Sequence, residues 1–179
     1  MPRERTYLRY QLYRSKARQE ANSTLTRHDE DLEPAGKKNI FSKVRFEAIT
    51  ADALEAYGLW AAESHFTWDE VVVWKDKEPM SFDLSIWFDL ELCGLCFANP
   101  NQSRLRLKIV RLEGKPDSTH PLKTRIAALA LIAVSEYART IGSKTIEIQE
   151  PVKGAIALYQ KLGFKFDTEG RLVMALESD

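Results

Sequence analysis

The chain has 179 residues, a length that suits one domain with a tail, and 44% of them are hydrophobic, enough for a self-sufficient core. Lysine plus arginine match aspartate plus glutamate at 26 each, so overall charge favours neither a nucleic-acid binder nor a binder of acidic ligands, and electrostatic recognition must be local. No apolar run approaches the roughly 18 residues of a membrane span, and the first residues lack the apolar stretch of a secretory signal.

The first twenty residues, MPRERTYLRYQLYRSKARQE, set six basic side chains against two acidic ones. Tyr7, Tyr10 and Tyr13 recur every third residue, with Leu8 and Leu12 four apart, a spacing that predicts an amphipathic helix. Such a basic, aromatic segment could touch nucleic acid, or lay its tyrosines on the domain or a partner. NSTLTRHDEDLEPAGKKN is polar, with one proline and one glycine, and reads as a linker. Residues 1–39 are therefore expected to form an arm and linker, and residues 40–179 the domain.

FSKVRFEAI alternates as a strand does, and Thr50 and Asp52 offer caps for a helix through ADALEAYGLWAAE. WDEVVVWKD predicts a second short helix ending before Glu78-Pro79. FDLSIWFDLELCGLCFA reads as a hairpin turning at Asp89–Glu91. Trp60, Trp68, Trp74 and Trp87 are expected in the core or at its rim. Cys93 and Cys96 lie inside an apolar strand, and the three histidines are scattered, so two small core residues are expected rather than a metal site or redox pair. Reduced thiols suit a cytoplasmic protein.

In RLRLKIVRLE the apolar side chains alternate as Leu105, Leu107 and Ile109, then change phase to Val110 and Leu112. A strand has period two, so the phase change predicts a β-bulge that leaves backbone groups free. HPLKTRIAALALIAV then opens a helix expected from about Lys123 to Ile141, apolar nearly all round and stopped by Gly142. KTIEIQE is a strand, and strand–helix–strand implies a parallel, right-handed crossover. GAIALYQKLG predicts a short helix ended by Gly163, and FKFDT and RLVMALE a final hairpin turning at Glu169–Gly170.

AIALYQKLGF resembles the C-terminal signature of the GNAT acetyltransferase superfamily, and the order of elements from Val44 to Glu177 matches that family. The resemblance implies a mixed α/β fold: a central, mostly antiparallel sheet splayed at the bulged strand, with helices on both faces. It also implies an N-acetyltransferase that moves an acetyl group from acetyl-CoA directly to an amine in a ternary complex, without metal. The backbone at Val110, Arg111 and Leu112 would take the pantetheine arm, and the loop Leu122-Lys123-Thr124-Arg125-Ile126-Ala127 the pyrophosphate. That loop departs from the family's glycine-rich pattern, with only Ala127 matching well. A rival register, Arg125-x-x-Ala128-x-Ala130, keeps an arginine but shortens the helix. In the Leu122–Ala127 register, Lys123 and Arg125 would supply side-chain contacts in place of the glycines, with Thr124 capping the helix. Val152 stands where the family often has asparagine.

By the same resemblance Tyr159 would return a proton to the departing thiolate, and Glu147 and Glu113 are candidates for the base. Trp68, Asp69 and Glu70 would meet the acceptor, while His65 reads as a surface or packed histidine. The acceptor could be a small amine or a protein, and a homodimer is compatible with the sequence. Two other expectations stand beside the enzyme: a catalytically silent binding module with this fold, and a nucleic-acid-associated protein using residues 1–20.

Overall fold

The computed structural model describes residues 2–32 and 40–177. Its elements in chain order are α1 (Pro2–Leu32), β1 (Val44–Glu47), α2 (Ala51–Tyr57), α3 (Val71–Lys77), β2 (Phe82–Phe88) and β3 (Glu91–Pro100). They continue with β4 (Arg106–Gly114), α4 (Ile126–Ile141), β5 (Thr145–Ile148), α5 (Ile156–Lys161), β6 (Lys165–Phe166) and β7 (Leu172–Ala175). The strands form one sheet in the order β1-β2-β3-β4-β5-β7-β6, in which only β4 and β5 run parallel. This is the mixed, mostly antiparallel arrangement expected from the sequence.

Each face of the sheet carries its own apolar core. Leu84, Ile86, Leu107, Ile109, Ile146 and Ile148 face α1, α4 and α5, while Leu95, Phe97 and Trp87 face α2, α3 and the tryptophans Trp60 and Trp68. Strand alternation fixes that division, and one interruption explains the cysteines. Ile86 opposes Gly94 and Trp87 opposes Leu92, so Cys93 is an extra residue that turns into the same core as Cys96. Both thiols are free and buried.

α4 is apolar on nearly every side because it is covered twice, by the sheet beneath and by α1 above. Its end is the one expected: Gly142 adopts φ +83, and the Gly142 and Ser143 amides bond the last carbonyls. Its start differs. The helix begins at Ile126 rather than Lys123, and Thr124 does not cap it, since no side chain caps the first turn and Thr124 itself sits at φ +71. Ile126 packs so closely on the sheet that a Cβ on Gly94 would come within 2.8 Å of it, and one on Gly114 within 3.2 Å. Residues without side chains at those two places let the first turn of α4 reach β3 and β4.

The N-terminal segment is a helix, as the tyrosine spacing predicts. Tyr10, Arg14, Ala17, Ala21 and Leu25 form its buried stripe, whereas Tyr7, Leu8 and Leu12 are exposed. Two of its basic residues bond inward: Arg14 to the Pro79 and Ser81 carbonyls, Arg18 to the Asp83 carboxylate at 2.9 Å. The stretch expected as a linker continues the helix to Leu32, and its remainder, 33–39, lies outside the described residues. Thr50 caps α2 as expected, accepting from the Ala53 amide at 3.2 Å.

Candidate active site

The site begins with the phase change in β4. Phe97 opposes Arg111 while Ala98 opposes Ile109, so Val110 is the extra residue of a bulge, where the sequence placed it. On the other side of β4 the ladder to β5 pairs Arg106 with Thr145 through Ile109 with Ile148, and its last bond runs from the Gln149 amide to the Ile109 carbonyl at 3.0 Å. Beyond that point the two strands part. The Lys115 amide donates to the Cys93 carbonyl at 2.8 Å, which makes Lys115 and Cys93 a bonded pair. Bonded and non-bonded pairs alternate in an antiparallel ladder, so the N–H and C=O groups of Leu112 and Gly114 face away from β3, into the gap.

The gap is a cleft of about 170 Å³, bordered by Val110 and Leu112 of β4, by Ile148 of β5 and residues 149–152 after it, by Tyr159 of α5, and by His65 and Phe66. It passes through the sheet: Tyr159 belongs to the core on the α4 face, Phe66 to the core on the α2 face. Tyr159 is buried, its ring edge-on to Phe164 at 5.8 Å. Burial pushes its phenol up to about 12. Among the described residues its hydroxyl has no hydrogen-bond partner.

The sequence-derived carboxylates sit elsewhere. Glu113 points at the segment between α2 and α3, receiving Ser64 Oγ at 2.6 Å, the His65 amide at 2.6 Å and Trp68 Nε1 at 2.8 Å. Its oxygens fasten that segment to β4 rather than face the cleft. Glu147 is buried on the sheet, with Arg106 Nε 2.9 Å and Arg171 Nε 4.0 Å from its Oε1. The closer contact is near enough to pair in charge but is not aligned as a hydrogen bond, so both atoms lack an aligned partner. Trp68, expected to meet the acceptor, is fully buried; Asp69 and Glu70 beside it are exposed.

Around the start of α4, Leu122 is buried while Lys123, Thr124 and Arg125 are exposed. The Lys123 and Arg125 amides bond the His120 and Leu122 carbonyls within the turn. The first amides of α4, from Ile126 onward, have no carbonyl one turn earlier in the helix and stand at its positive end. α4 thus starts nearly one turn after the expected Lys123, and residues 122–125 form the turn that leads into it.

The sequence under-read two residues of the cleft wall. In the sequence His65 reads only as a surface or packed residue, and Glu150 carries no signal beyond standing before Pro151. Glu150 is exposed at the lip with φ +47, a conformation that a residue preceding proline avoids.

No family model and no curated protein matches the chain. Solved structures do. Ard1 from Thermoplasma volcanium superposes with a TM-score of 0.57 at 13% identity, covering 76% of this chain and 99% of that one. The ribosomal-protein-S18-alanine N-acetyltransferase from Escherichia coli gives 0.55 at 14% identity, covering 76% and 96%. A Bacillus subtilis acetyltransferase in complex with CoA gives 0.54 at 22% identity, covering 75% and 100%.

Proposed function

The chain has the GNAT fold, and from it we propose that the protein is an N-acetyltransferase that moves an acetyl group from acetyl-CoA to a primary amine by direct attack in a ternary complex. The observation that carries this reading is the cleft through the sheet, opened where β4 and β5 part at the Val110 bulge and bordered by the Tyr159 side chain.

The residues fit such a donor. The outward backbone groups of Leu112 and Gly114 can pair with an extended amide arm as another strand would, flanked by Val110 and Arg111. The N-terminal amides of α4, with the exposed Lys123 and Arg125, suit a pyrophosphate. When bound, acetyl-CoA supplies the activated acyl group. The protein's part is to hold the thioester in the gap, exclude water with Ile109, Ile148 and Phe66, and deliver a proton from Tyr159 to the departing sulfur. A phenol at about 12 holds its proton across the neutral range. A thiol in this interior is pushed up as well, Cys96 to about 12.

The acceptor is an amine, small or protein-borne, and two free buried thiols suit a reducing, cytoplasmic setting. One observation favours a second reading, a silent binding module: Thr124 and Arg125 occupy the turn where glycines would let a phosphate approach, and Thr124 is held at φ +71. A thermal melt separates the two. Acetyl-CoA at about 100 times its dissociation constant adds about 2.7 kcal/mol to a chain that binds it. No shift at millimolar acetyl-CoA ends the enzyme reading.

A further inference from the structure

The titratable side chains bordering the cleft are His65, Glu150 and Tyr159. Tyr159 gives a proton in the reaction above, and a reaction that begins with an ammonium also needs a group to take one. Glu113 and Glu147 are engaged away from the cleft. We propose that His65 is the catalytic base that takes the proton from the incoming ammonium, with Glu150 drawing that ammonium to the lip. This rests on the acetyltransferase reading.

Three observations support the assignment. First, His65 is held rather than loose. Its amide donates to Glu113 Oε2, its ring meets Phe66 edge-on at 4.9 Å, and the Phe66 carbonyl accepts from the Tyr57 hydroxyl at 2.8 Å. Phe66 in turn meets the fully buried Trp68 at 6.0 Å. A base positioned before the substrate arrives loses little to reorganisation. Second, His65 and Tyr159 border the cleft from opposite sides of the sheet, so the proton taken from nitrogen and the proton given to sulfur have separate holders. Third, the His65 side chain is exposed, so it can release its proton to solvent after each turnover. An imidazole also accepts a proton near neutrality more readily than a carboxylate does, which favours His65 over Glu150 for this role. Glu150 has the complementary virtue of a fixed negative charge, carried on backbone held against its preference at the rim. Charged groups near this segment include the Glu113 carboxylate, which accepts from the His65 amide, and the Arg111 guanidinium, 5.8 Å from the Phe66 ring centre.

The step balances. His65 takes one proton from R–NH3+, and the freed lone pair forms the C–N bond. The C–S bond breaks, and the sulfur leaves with its electron pair and takes the Tyr159 proton. The nitrogen's second proton restores the phenol through water, and His65 sheds its own to solvent. The net change is one amide, one thiol and one proton released.

The test follows thiol release from acetyl-CoA with two probe amines, spermidine and a peptide with a free N-terminal alanine, across about pH 5 to pH 9. The intact chain should show an acidic limb in kcat/KM. His65→Gln should lower kcat about 100-fold or more and abolish that limb, while the acetyl-CoA melting shift stays. Imidazole in the buffer should restore part of the rate to His65→Ala, a rescue that no merely structural role predicts. Glu150→Gln should raise the KM of the amine and leave the limb in place. A His65→Gln enzyme within about threefold of the intact chain, or one that retains the limb, overturns the assignment. So does an intact chain that acetyl-CoA stabilises but that acetylates neither amine. Absence of the melting shift instead removes the acetyltransferase reading itself.

Discussion

Tyr159, Thr124 and Cys96 each turn a local environment into a measurable consequence. Tyr159→Phe removes the hydroxyl without changing the ring's contact with Phe164, so kcat should fall by about 100-fold while acetyl-CoA still raises the melting temperature. Equal activity in the two proteins would return Tyr159 to the core. Thr124 is β-branched and left-handed at φ +71, a conformation costing roughly 1–2 kcal/mol that glycine adopts freely. Thr124→Gly should therefore make the chain about 1 kcal/mol more stable in urea, and tighten acetyl-CoA binding if the turn meets phosphate. Cys96 has its thiol pushed up by burial from 9.0 to about 12. The unfolded chain ionises there first, so stability due to this group is whole below about pH 9 and declines as pH rises towards 12. The slope is about 1.4 kcal/mol per pH unit. Urea titrations at several pH values should show a shallower alkaline decline in Cys96→Ala, whatever that substitution costs at neutrality.

Between elements, polar side chains do the fastening that strand and helix periodicity cannot. Asp83 of β2 is 1% exposed and holds three partners: Arg18 of α1 at 2.9 Å, Lys75 of α3 at 3.2 Å and the Ile49 amide at 2.8 Å. Burial pushes the carboxyl up, and the two cations and the amide more than offset it, leaving it below the usual carboxylate range. The stability it contributes is present above about pH 4 and fades as pH falls through the lowered value. Arg18→Met strips one cation and should destabilise the chain by about 3–5 kcal/mol, because a buried charge left short of partners is costly. Asn22 closes the outer edge of β1 in a similar way, donating to the Phe46 carbonyl at 3.1 Å and accepting its amide at 2.8 Å. A side-chain amide thus stands where a neighbouring strand would pair, so the edge offers no free ladder there.

For the molecule as a whole, α1 decides where the domain begins. Tyr10, Ala17, Ala21 and Leu25 join the same core as α4 and the sheet, although the sequence drew a boundary at residue 40. Removing residues 1–32 should uncover α4, already apolar nearly all round, and abolish the cooperative melting transition. A truncated chain that melts as sharply and as high as the intact one would restore the arm. Nucleic-acid binding through residues 1–20 has fewer free cations than the sequence count suggests, because Arg14 and Arg18 are bonded to β2 and its approach. Such binding, if measured, should be weak at low salt and absent near physiological salt; tight binding that survives salt overturns this.

Sequence periodicity was enough for the order of strands and helices, the Gly142 stop, the Thr50 cap and the bulge at Val110. Each of these is written in neighbouring residues, although the bulge sets Val110 and Arg111 on one face and leaves Ile109 on the other. The fate of charged residues was not so written. Glu113, Glu147, Arg14 and Arg18 look alike in a sequence, as solvated groups or candidate catalysts, and only long-range packing decided that each finds its partner inside the fold. His65 lies 94 residues from Tyr159, and the cleft joins them because β4 and β5 separate between the elements that carry them. Local patterning sets which way a side chain faces along its own element, whereas a site is made where elements distant in the chain meet.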